Sequence, residues 1–385
     1  MKKKFFNTLL SITLISTLAL TFNVINYSTE VQAKVNDTKE EKVFIKHNNA
    51  SLLKDSNDSL RDDYITIHPV PENFDAINAT DKELEYYKFP KRPTDVSKLA
   101  KWKKIVSCKW VKPDLIETGL THSTYNKNTT TSSSAKLNTV TSENDSQWSG
   151  YAYTEPCTSI DSDWSLPEVS AASNYIPAAA SQWVGLGGYG IPTLVQAGTS
   201  GTIDKYGSKD YYFWYELLGT DYSPDTETEI HGISCSPGDD VYTKIKTSVS
   251  GSATIVDFYM ANFSQNTSTS FTKTLTGLKS ELNSAEWICE APLSSATNSN
   301  YNYPITTDTY FKTKIVAFID SSYMAKNTNT FSDICKAPNL MKISLVNGST
   351  VISEPTAIGS GSRPSLFALL GGNNNSFDVN WKNYK

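Results

Sequence analysis

The sequence predicts an all-β protein, a sandwich of antiparallel sheets. From Gln147 onward, short runs rich in β-branched and aromatic residues alternate with breaks rich in Gly, Ser, Asn and Asp. In the run from Asp240 to Val249 every second side chain is Val, Thr or Ile, as in a strand with one buried face. No long helical period competes with this pattern. About a dozen such strands suit two packed antiparallel sheets.

The first residues have the pattern of an export signal. Three lysines (2–4) precede the mostly apolar stretch 5–24, and Val31-Gln32-Ala33 predicts cleavage after Ala33. The alternative interpretation is a retained membrane anchor. No later stretch approaches the roughly 20 apolar residues that span a bilayer. We therefore expect a signal peptide over 1–33 and a secreted, extracellular protein without membrane contact after its removal.

The region between the signal and the β-rich domain divides in two. Residues 34–120 are polar, and nine of their basic side chains lie in Lys88–Lys112, where Asp95 is the one acidic residue. In residues 121–146, 17 of 26 side chains are Ser, Thr or Asn, which is typical of an exposed linker that proteases cut. Signal, charged segment, cleavable linker and large domain (147–385) form the layout of a secreted zymogen. A non-enzymatic secreted protein on a stalk has a similar layout.

Cysteine usage fits an oxidising compartment. Two disulfides among four of the five cysteines would leave Cys108 unpaired, and three pairings are open. The four candidates are Cys157, Cys235, Cys289 and Cys335.

The small number of histidines excludes several hydrolytic sites. Three of the four histidines precede residue 147, which leaves His231 alone in the β-rich domain. No Gly-x-Ser-x-Gly elbow and no His-Glu-x-x-His motif occurs, and one histidine is too few for a His-rich zinc site. We expect no metal and no cofactor, so carboxylates and amides remain as candidate catalytic groups.

Two such groups interrupt strand-like sequence. Gln196 lies in Leu-Val-Gln-Ala-Gly, and Glu286 lies in Ser-Ala-Glu-Trp-Ile. A polar side chain in a buried strand is costly without partners, so the pair suggests a shared polar site. Glu290 would lie about 13 Å along the same strand from Glu286, which is too far for a glycosidase carboxylate pair.

The β-rich domain resembles the eqolisin, or glutamic peptidase, family over roughly the last three fifths of the chain. Six segments match family motifs in the same order. They are Gln147–Tyr151 (Asn-Trp-Ser-Gly-Tyr), Asp163–Pro167 (Trp-x-x-Pro), Ser181–Gly188 (Ala-Trp-Val-Gly-Ile-Asp-Gly), Leu194–Gly198 (Leu-x-Gln-x-Gly), Trp214–Glu216 (Trp-Tyr-Glu) and Ala285–Ile288 (Ala-Glu-Trp-Ile).

The resemblance implies a sandwich of two curved antiparallel sheets of the lectin and glucanase type, with the catalytic pair on the concave sheet. It places Gln196 on the catalytic glutamine and Glu286 on the catalytic glutamate. Trp148, Trp183 and Glu216 become candidates for the substrate cleft. The implied activity is that of a secreted endopeptidase, made as a zymogen with an N-terminal propeptide, that acts on proteins or peptides as a monomer.

The chain departs from the family pattern at three positions. Gly187 stands in place of an aspartate, Ala197 in place of a common threonine, and Ser200 where many members have an aspartate. The acidic neighbours help to set the acid pH range of the family, so these departures affect the expected pH optimum rather than the reaction.

The basic segment 88–112 has three candidate interpretations: a solvated surface, a site for nucleic acid or anionic membrane, and a partner of the acidic domain in the same chain. Residues 141–385 carry 14 basic against 24 acidic side chains, and opposite charges attract. We predict that the segment docks on the acidic catalytic sheet and blocks it, rather than binding nucleic acid. The expected contacts are Lys98, Lys101, Lys103, Lys104 and Lys109.

A second hypothesis from a different class is a non-catalytic, lectin-like carbohydrate-binding or surface protein on the same sandwich. Its abundant Tyr and Trp suit sugar stacking. It does not account for the sequence contexts of Gln196 and Glu286.

Overall fold

A computed structural model describes residues 39–46, 64–118, 120–125, 140–170, 177–220, 227–294, 312–313, 316–326, 328, 331–362 and 375–382. Residues 42–385 form one compact unit. The predicted signal peptide, 1–33, lies outside the described residues. In the part of the chain that is described, no helix is long and apolar enough to span a membrane.

Among the described residues, the N-terminal part of the chain contains short strands and two short helices. These are β1 Glu41–Lys46, β2 Tyr64–Ile67, α1 Asp81–Tyr86, α2 Leu99–Val106, β3 Lys109–Trp110, β4 Asp114–Glu117, β5 Leu120–Thr121 and β6 Thr141–Asp145. Helix α1 begins at a capping box, in which the Thr80 side chain and the Glu83 side chain each bond the other residue's backbone N–H. Helix α2 follows a 3₁₀ turn over Val96–Lys98.

The β-rich part contains longer strands. They are β7 Trp148–Tyr153, β8 Cys157–Ser165, β9 Val169–Ser170, β10 Ala178–Gly187, β11 Leu194–Ile203, β12 Lys209–Leu218, β13 Thr228–Ser234, β14 Asp240–Ser250, β15 Ala253–Asn262, β16 Thr267–Leu275, β17 Ala285–Glu290, β18 Leu293–Ser294, β19 Lys312–Thr313, β20 Val316–Ala325, β21 Ser332–Asp333, β22 Leu340–Asn347, β23 Thr350–Pro355 and β24 Phe377–Trp381.

These strands form two antiparallel layers. The first sheet has the order β13-β12-β11-β10-β17-β7-β22. The second sheet has the order β16-β15-β14-β8-β20-β24. Strand β23 pairs with both β22 and β24 and so joins the layers at one edge. The predicted all-β antiparallel sandwich is confirmed.

Alternating side chains of both sheets fill the space between them. Val184 and Trp287 of the first sheet share this core with Ile245 and Phe258 of the second. The indole N–H of Trp287 donates to the backbone carbonyl of Asp161 in the second sheet at 3.1 Å. Since successive side chains of a strand point to opposite faces, the outer face of each sheet carries the remaining residues.

The strands before residue 119 extend the edges of the two sheets. Strand β4 pairs antiparallel with β13, and β1 pairs parallel with β4. Strands β2 and β3 pair with β16. The N-terminal region and the β-rich part therefore share backbone hydrogen bonds.

The predicted exposed linker over 121–146 is wrong at both of its ends. Thr121 belongs to β5, Tyr125 is buried, and residues 141–145 form β6, which pairs parallel with β22. Short polar side chains do not prevent backbone pairing, and His122 and Tyr125 supply buried contacts there. Residues 126–139 lie outside the described residues.

The predicted disulfides are also wrong, since all five cysteines are free in the structure. Cys157, Cys235 and Cys289 are buried on or next to different strands, and Cys335 is exposed. A buried free thiol packs as a small apolar side chain. Burial raises the pKa of Cys289 to about 12, so this thiol stays protonated.

Candidate active site

Gln196 and Glu286 lie on the same face of the first sheet, on the two strands that flank β10. In the register of these antiparallel strands, Gly185 of β10 is opposite Gln196 of β11 and opposite Glu286 of β17. Residues directly opposite each other share a face. Neighbouring strands are about 4.8 Å apart, so the two Cα atoms are roughly 10 Å apart. Gly185 has no side chain to fill the space between them.

This face is the outer one, which points away from the core between the sheets. Trp287, next to Glu286, packs inward, whereas Ile288 belongs to a separate cluster with Trp183 and Trp214. The catalytic candidates therefore point away from the sandwich core, into the environment that a substrate would enter.

Glu286 is fully buried, and neither carboxylate oxygen has a hydrogen-bond partner among the described residues. Burial raises the pKa of Glu286 well above its usual value. The Ser284 hydroxyl opposes this rise, but burial outweighs it. Burial thus favours the neutral carboxylic acid over the carboxylate.

Gln196 is oriented by a second carboxyl group. Its Nε2 donates to Oε2 of Glu216 at 2.7 Å, while its Oε1 has no partner in the described part of the chain. Glu216 lies directly opposite Gln196 on β12. Burial is the largest influence on Glu216 and raises its pKa to about 8. Glu216 therefore fixes the orientation of the Gln196 amide. One N–H of that amide donates to Glu216, and its carbonyl oxygen has no partner among the described residues.

Aromatic side chains surround this row on the same face. Trp148 and Trp183 pack edge to face with ring centroids 5.0 Å apart, and Trp214 lies in the same cluster. The indole N–H of Trp183 donates to Oε2 of Glu290 at 2.8 Å. The predicted cleft residues Trp148, Trp183 and Glu216 thus all lie on the face that carries Gln196 and Glu286.

A segment from the N-terminal region, Leu120–Tyr125, covers this face and is called the occluding segment below. Its strand β5 pairs with β18, and its far end forms a parallel bridge between Tyr125 and Tyr189. The backbone N–H of Tyr125 donates to the Gly188 carbonyl, and the Tyr125 carbonyl accepts from the Gly190 N–H, both at 2.9 Å. The backbone of the segment thus bonds to β18 and to the residues that follow β10, at the margins of the first sheet.

The side chains of the occluding segment reach into the face. The Tyr125 ring stacks on Tyr189 at 4.8 Å, and both hydroxyls donate to Glu143. The backbone N–H of His122 donates to Oε2 of Glu216 at 3.1 Å. Glu216 also accepts from the Gln196 amide, so this one carboxyl group connects the occluding segment to Gln196.

Sequence comparison decides the family to which this site belongs. A model of the Peptidase A4 family matches residues 146–364, more than half of the chain. The chain belongs to the Peptidase A4 family. The predicted glutamic peptidase family and peptidase activity are therefore confirmed, rather than the lectin-like alternative.

Two solved structures similar to this peptidase are also glutamic peptidases. Scytalido-glutamic peptidase with a transition state analog inhibitor is 17% identical, with a TM-score of 0.46, and the match covers 62% of this chain and 99% of that one. SCP-B, a member of the eqolisin family in a complex with the tripeptide Ala-Ile-His, is 16% identical, with a TM-score of 0.43 and the same coverage. No curated protein matches the chain.

The basic segment of the peptidase docks on the second sheet, not on the sheet that carries Gln196 and Glu286. Lys98 pairs with Asp333 at 2.7 Å and Lys101 with Asp163 at 2.9 Å. Trp102 packs in one cluster with Tyr242 and Tyr259 on the outer face of that sheet. The predicted block of the catalytic sheet by Lys88–Lys112 is therefore wrong, because aromatic and acidic groups of the second sheet hold the segment there.

The other predicted lysine contacts are weaker. The Lys104 ammonium lies 4.1 Å from the centroid of the Phe263 ring. Lys109 is exposed, with its ammonium 3.9 Å from a Glu72 oxygen. Lys103 is exposed and contributes its backbone carbonyl, which accepts from Ser107.

Two departures of the peptidase from its family motifs have local causes. Gly187 has φ +86°, and an added Cβ would lie 2.4 Å from the Thr193 carbonyl oxygen, so an aspartate does not fit. Ser200 donates to Oε2 of Glu227 at 3.2 Å. A carboxylate from another part of the chain thus lies beside the position where many members have an aspartate.

Sequence reasoning missed three residues at this site: His122, Glu227 and Glu290. His122 precedes the β-rich domain and lies in a Ser/Thr/Asn run, and Glu227 lies just before a strand, so the sequence pattern marks neither residue. Their contact joins positions more than 100 residues apart. The one available signal is an isolated histidine in a Ser/Thr/Asn-rich stretch next to a strongly acidic domain.

Proposed function

We propose that this peptidase is made as a secreted zymogen, and that Glu286 and Gln196 hydrolyse peptide bonds through one shared water. The observation that carries the proposal is the register of β10, β11 and β17, in which Gly185 separates the two side chains on one face. Each side chain of the pair has an atom without a hydrogen-bond partner among the described residues. These atoms are available to bind a substrate and a water.

In the proposed reaction, the Glu286 carboxylate removes a proton from the water while the water oxygen attacks the scissile carbonyl carbon. The Gln196 amide donates to the oxygen that becomes negatively charged in the tetrahedral intermediate. The proton on Glu286 then passes to the leaving nitrogen as the C–N bond breaks. Glu216 acts as a positioning residue, because its bond to Nε2 orients the amide.

The zymogen proposal is supported by the occluding segment. Its backbone N–H groups donate to Glu216 and Glu290 on the face where Glu286 is fully buried. A buried neutral carboxylic acid is not a base. Once the segment leaves, solvent lowers the cost of the charged form, so the pKa of Glu286 falls and a carboxylate becomes available at acid to neutral pH.

Secretion is supported by the basic and apolar pattern of residues 1–33. The substrates of a secreted endopeptidase are proteins and peptides. A monomer stays a prediction, since only one chain is described.

The proposal is tested with purified protein spanning residues 34–385, incubated with denatured casein from about pH 2 to pH 8 in the presence of pepstatin and a chelator. The wild type and Glu354→Gln, a carboxylate control on the outside of β23, are expected to cleave casein. Glu286→Gln and Gln196→Glu are expected to fold and not to cleave it. Mass spectrometry of the same samples locates processing. Undiminished cleavage by Glu286→Gln would falsify the assignment.

A further inference from the structure

A cavity of about 660 Å³ lies between the outer face of the second sheet and the N-terminal region. Its floor comes from β8, β14, β15 and β20, and its other walls come from residues 81–105 and 331–336. Gln196 and Glu286 are on the other sheet. Ligand-binding pockets have volumes in this range and combine apolar walls with a few polar groups.

The strand register brings two lysines to the floor of this cavity. Lys244 and Lys246 are two residues apart on β14, so both side chains lie on one face of the strand, with their Cα atoms roughly 6.7 Å apart. Lys244 is opposite Asp161 of β8, and Lys246 is opposite Asp257 of β15. Both lysines line the cavity, so two ammonium groups approach the same part of it.

Neither ammonium group donates a hydrogen bond to a described residue. Lys244 is 9% exposed, and its Nζ lies 4.0 Å from Oδ2 of Asp161 and 4.0 Å from the centroid of the Phe331 ring. Burial is the largest influence on Lys244 and lowers its pKa to about 8, and the charge of Lys246 acts in the same direction. A buried ammonium group that lacks a hydrogen bond is stabilised by a bound anion.

The acidic side chains of the floor already have other partners. Asp161 accepts from the hydroxyls of Tyr242 and Ser322, and Asp257 pairs with Lys88 at 3.2 Å. Nine basic and six acidic side chains line the cavity, a net charge of +3, whereas residues 141–385 carry 24 acidic against 14 basic side chains. The cavity is thus positively charged within an acidic domain, which favours an anionic ligand.

A buried amide also faces the cavity without a partner. Asn375 lines the cavity and is 3% exposed, and its Oδ1 has no hydrogen-bond partner in the described part of the chain. A buried acceptor without a donor is costly. A ligand that carries an N–H group would satisfy it.

The remaining walls offer apolar surface to the body of a ligand. Phe89 and Trp102 of the N-terminal region and Tyr259 and Met324 of the second sheet line the cavity. A fitting ligand therefore combines three features: a negative charge, an N–H group and an apolar side chain.

We propose that this cavity is a second binding site, which takes the C-terminal end of a short peptide. The terminal carboxylate binds between the ammonium groups of Lys244 and Lys246. A peptide N–H donates to Oδ1 of Asn375, and an apolar last side chain packs against the aromatic walls. Each peptide bond that a peptidase hydrolyses yields a new C-terminal carboxylate, so products of this peptidase belong to the ligand class.

Binding at this site has a consequence for the N-terminal region. Its residues and those of the second sheet both line the cavity, so the ligand binds only while the two are docked and stabilises the docked form. Bound peptide therefore favours the state in which the catalytic face is covered. This consequence rests on the proposed occlusion of that face, whereas binding itself does not.

Binding is tested by calorimetry on intact protein spanning residues 34–385 at about pH 6, below the pKa of Lys244. The probe is N-acetyl-Ala-Phe with a free carboxylate. Its C-terminal amide is the control for charge, and 3-phenylpropionate is the control for the N–H. The acid is expected to bind and to raise the melting temperature, and each control is expected to bind at least tenfold more weakly. No binding of the acid, or equal binding of either control, overturns the proposal.

Variants locate the bound peptide. Lys244→Met and Lys246→Met are each expected to weaken binding of the acid about tenfold or more. Lys342→Met, on β22 of the first sheet and outside the cavity, is expected to leave binding unchanged. Should Lys244→Met not fold, the half-buried Lys246 decides through its own variant. Equal affinities of wild type and Lys246→Met contradict the site.

The effect on docking is tested with protein cut between residues 126 and 139. The acid is expected to raise the urea concentration that separates residues 34–125 from residues 140–385, and the amide is not. Binding without this shift contradicts the role in docking. Failure of wild-type protein to cleave casein contradicts the proposed function, while calorimetry still decides the site.

Discussion

At the scale of single residues, the state of Glu286 determines what the full-length chain can do. The side chain is buried without a hydrogen-bond partner among the described residues, and its pKa is raised. Ionisation of this side chain costs stability, because a buried charge without a partner is unfavourable. The protonation state of Glu286 therefore affects both the stability of the fold and the proposed activity.

This link predicts a pH-dependent effect of Glu286→Gln on stability. A raised folded pKa gives stability that is complete below the unfolded pKa, about 4.3, and is lost as pH rises toward the folded value. The glutamine variant has no such loss. The free energy of unfolding of Glu286→Gln should therefore rise relative to that of the wild type above about pH 4.3. The difference should grow by up to about 1.4 kcal/mol per pH unit until the pH reaches the folded pKa. Urea denaturation of intact protein at several pH values measures the difference.

The matched control has the opposite sign. A hydrogen bond from Lys382 lowers the pKa of Glu354, so its contribution is present above the unfolded pKa and is lost as pH falls through the folded value. Glu354→Gln should be less stable than the wild type at neutral pH and equal to it at low pH. A constant difference for Glu286→Gln across the pH range would contradict the raised pKa.

A second prediction concerns Gly185, which leaves the space between the catalytic pair open. An added Cβ would lie 2.8 Å from the Trp183 ring and 2.9 Å from Leu194. Gly185→Ala should displace these neighbours and lower kcat/KM of the processed enzyme about 100-fold, since small misplacements in an active site have effects of this size.

Gly251→Ala is the control: its backbone is left-handed at φ +63°, but its Cβ meets nothing within 4 Å. It should lower stability and leave kcat/KM unchanged, and equal kcat/KM losses in both variants would refute the role of Gly185.

At the scale of elements, two parts of the N-terminal region contact different sheets. Helix α2 and its lysines hold the region to the second sheet, whereas the occluding segment covers the first. The charge pattern predicted attraction between a basic segment and an acidic domain. It could not say which of two acidic sheets is the partner, because that depends on where Tyr242, Tyr259 and Asp163 meet in the fold.

This division predicts that inhibition depends on Tyr125 and not on Lys101. Tyr125→Ala removes a stacked ring pair and a hydrogen bond to Glu143, each worth about 1 kcal/mol. The open state should become more populated, and cleavage of a short fluorogenic peptide by intact full-length protein should rise tenfold or more. Lys101→Ala should lower stability without raising cleavage. The opposite ranking of the two variants would show that the basic helix is the inhibitor.

At the scale of the whole molecule, the N-terminal region is built into the sandwich. Strands β1–β4 pair with one another or with β13 and β16, and the helices pack on the second sheet. Breaking one peptide bond between Tyr125 and Val140 removes none of these contacts. Processing by a single cut therefore does not by itself uncover the site.

A protease site engineered between residues 126 and 139 tests this conclusion. After complete cutting at neutral pH and moderate salt, residues 34–125 should elute together with residues 140–385 in size exclusion, and peptide cleavage should stay low. Both should change once about 2 M urea or acid separates the two parts. Immediate elution as two species with full activity would contradict tight association.

The sequence predicted the sandwich and the positions of Gln196 and Glu286, because alternation and short motifs are local features. It did not predict the pocket of His122, Glu227 and Glu290, because three residues far apart in the chain form it and one of them lies in a run typical of linkers. The disulfide expectation failed for a similar reason. Cysteine count carries no information on which strands, and which faces of them, the thiols occupy.

The central claim is that Gln196 and Glu286 act together on one water, and a double-mutant cycle on kcat tests it most directly. Gln196→Ala and Glu286→Gln should each lower kcat about 1,000-fold or more. The double variant should be no slower than the slower single variant, because groups that act as a unit are not additive. Multiplicative losses, or a single variant that keeps near wild-type kcat, would show that the two side chains do not share the reaction.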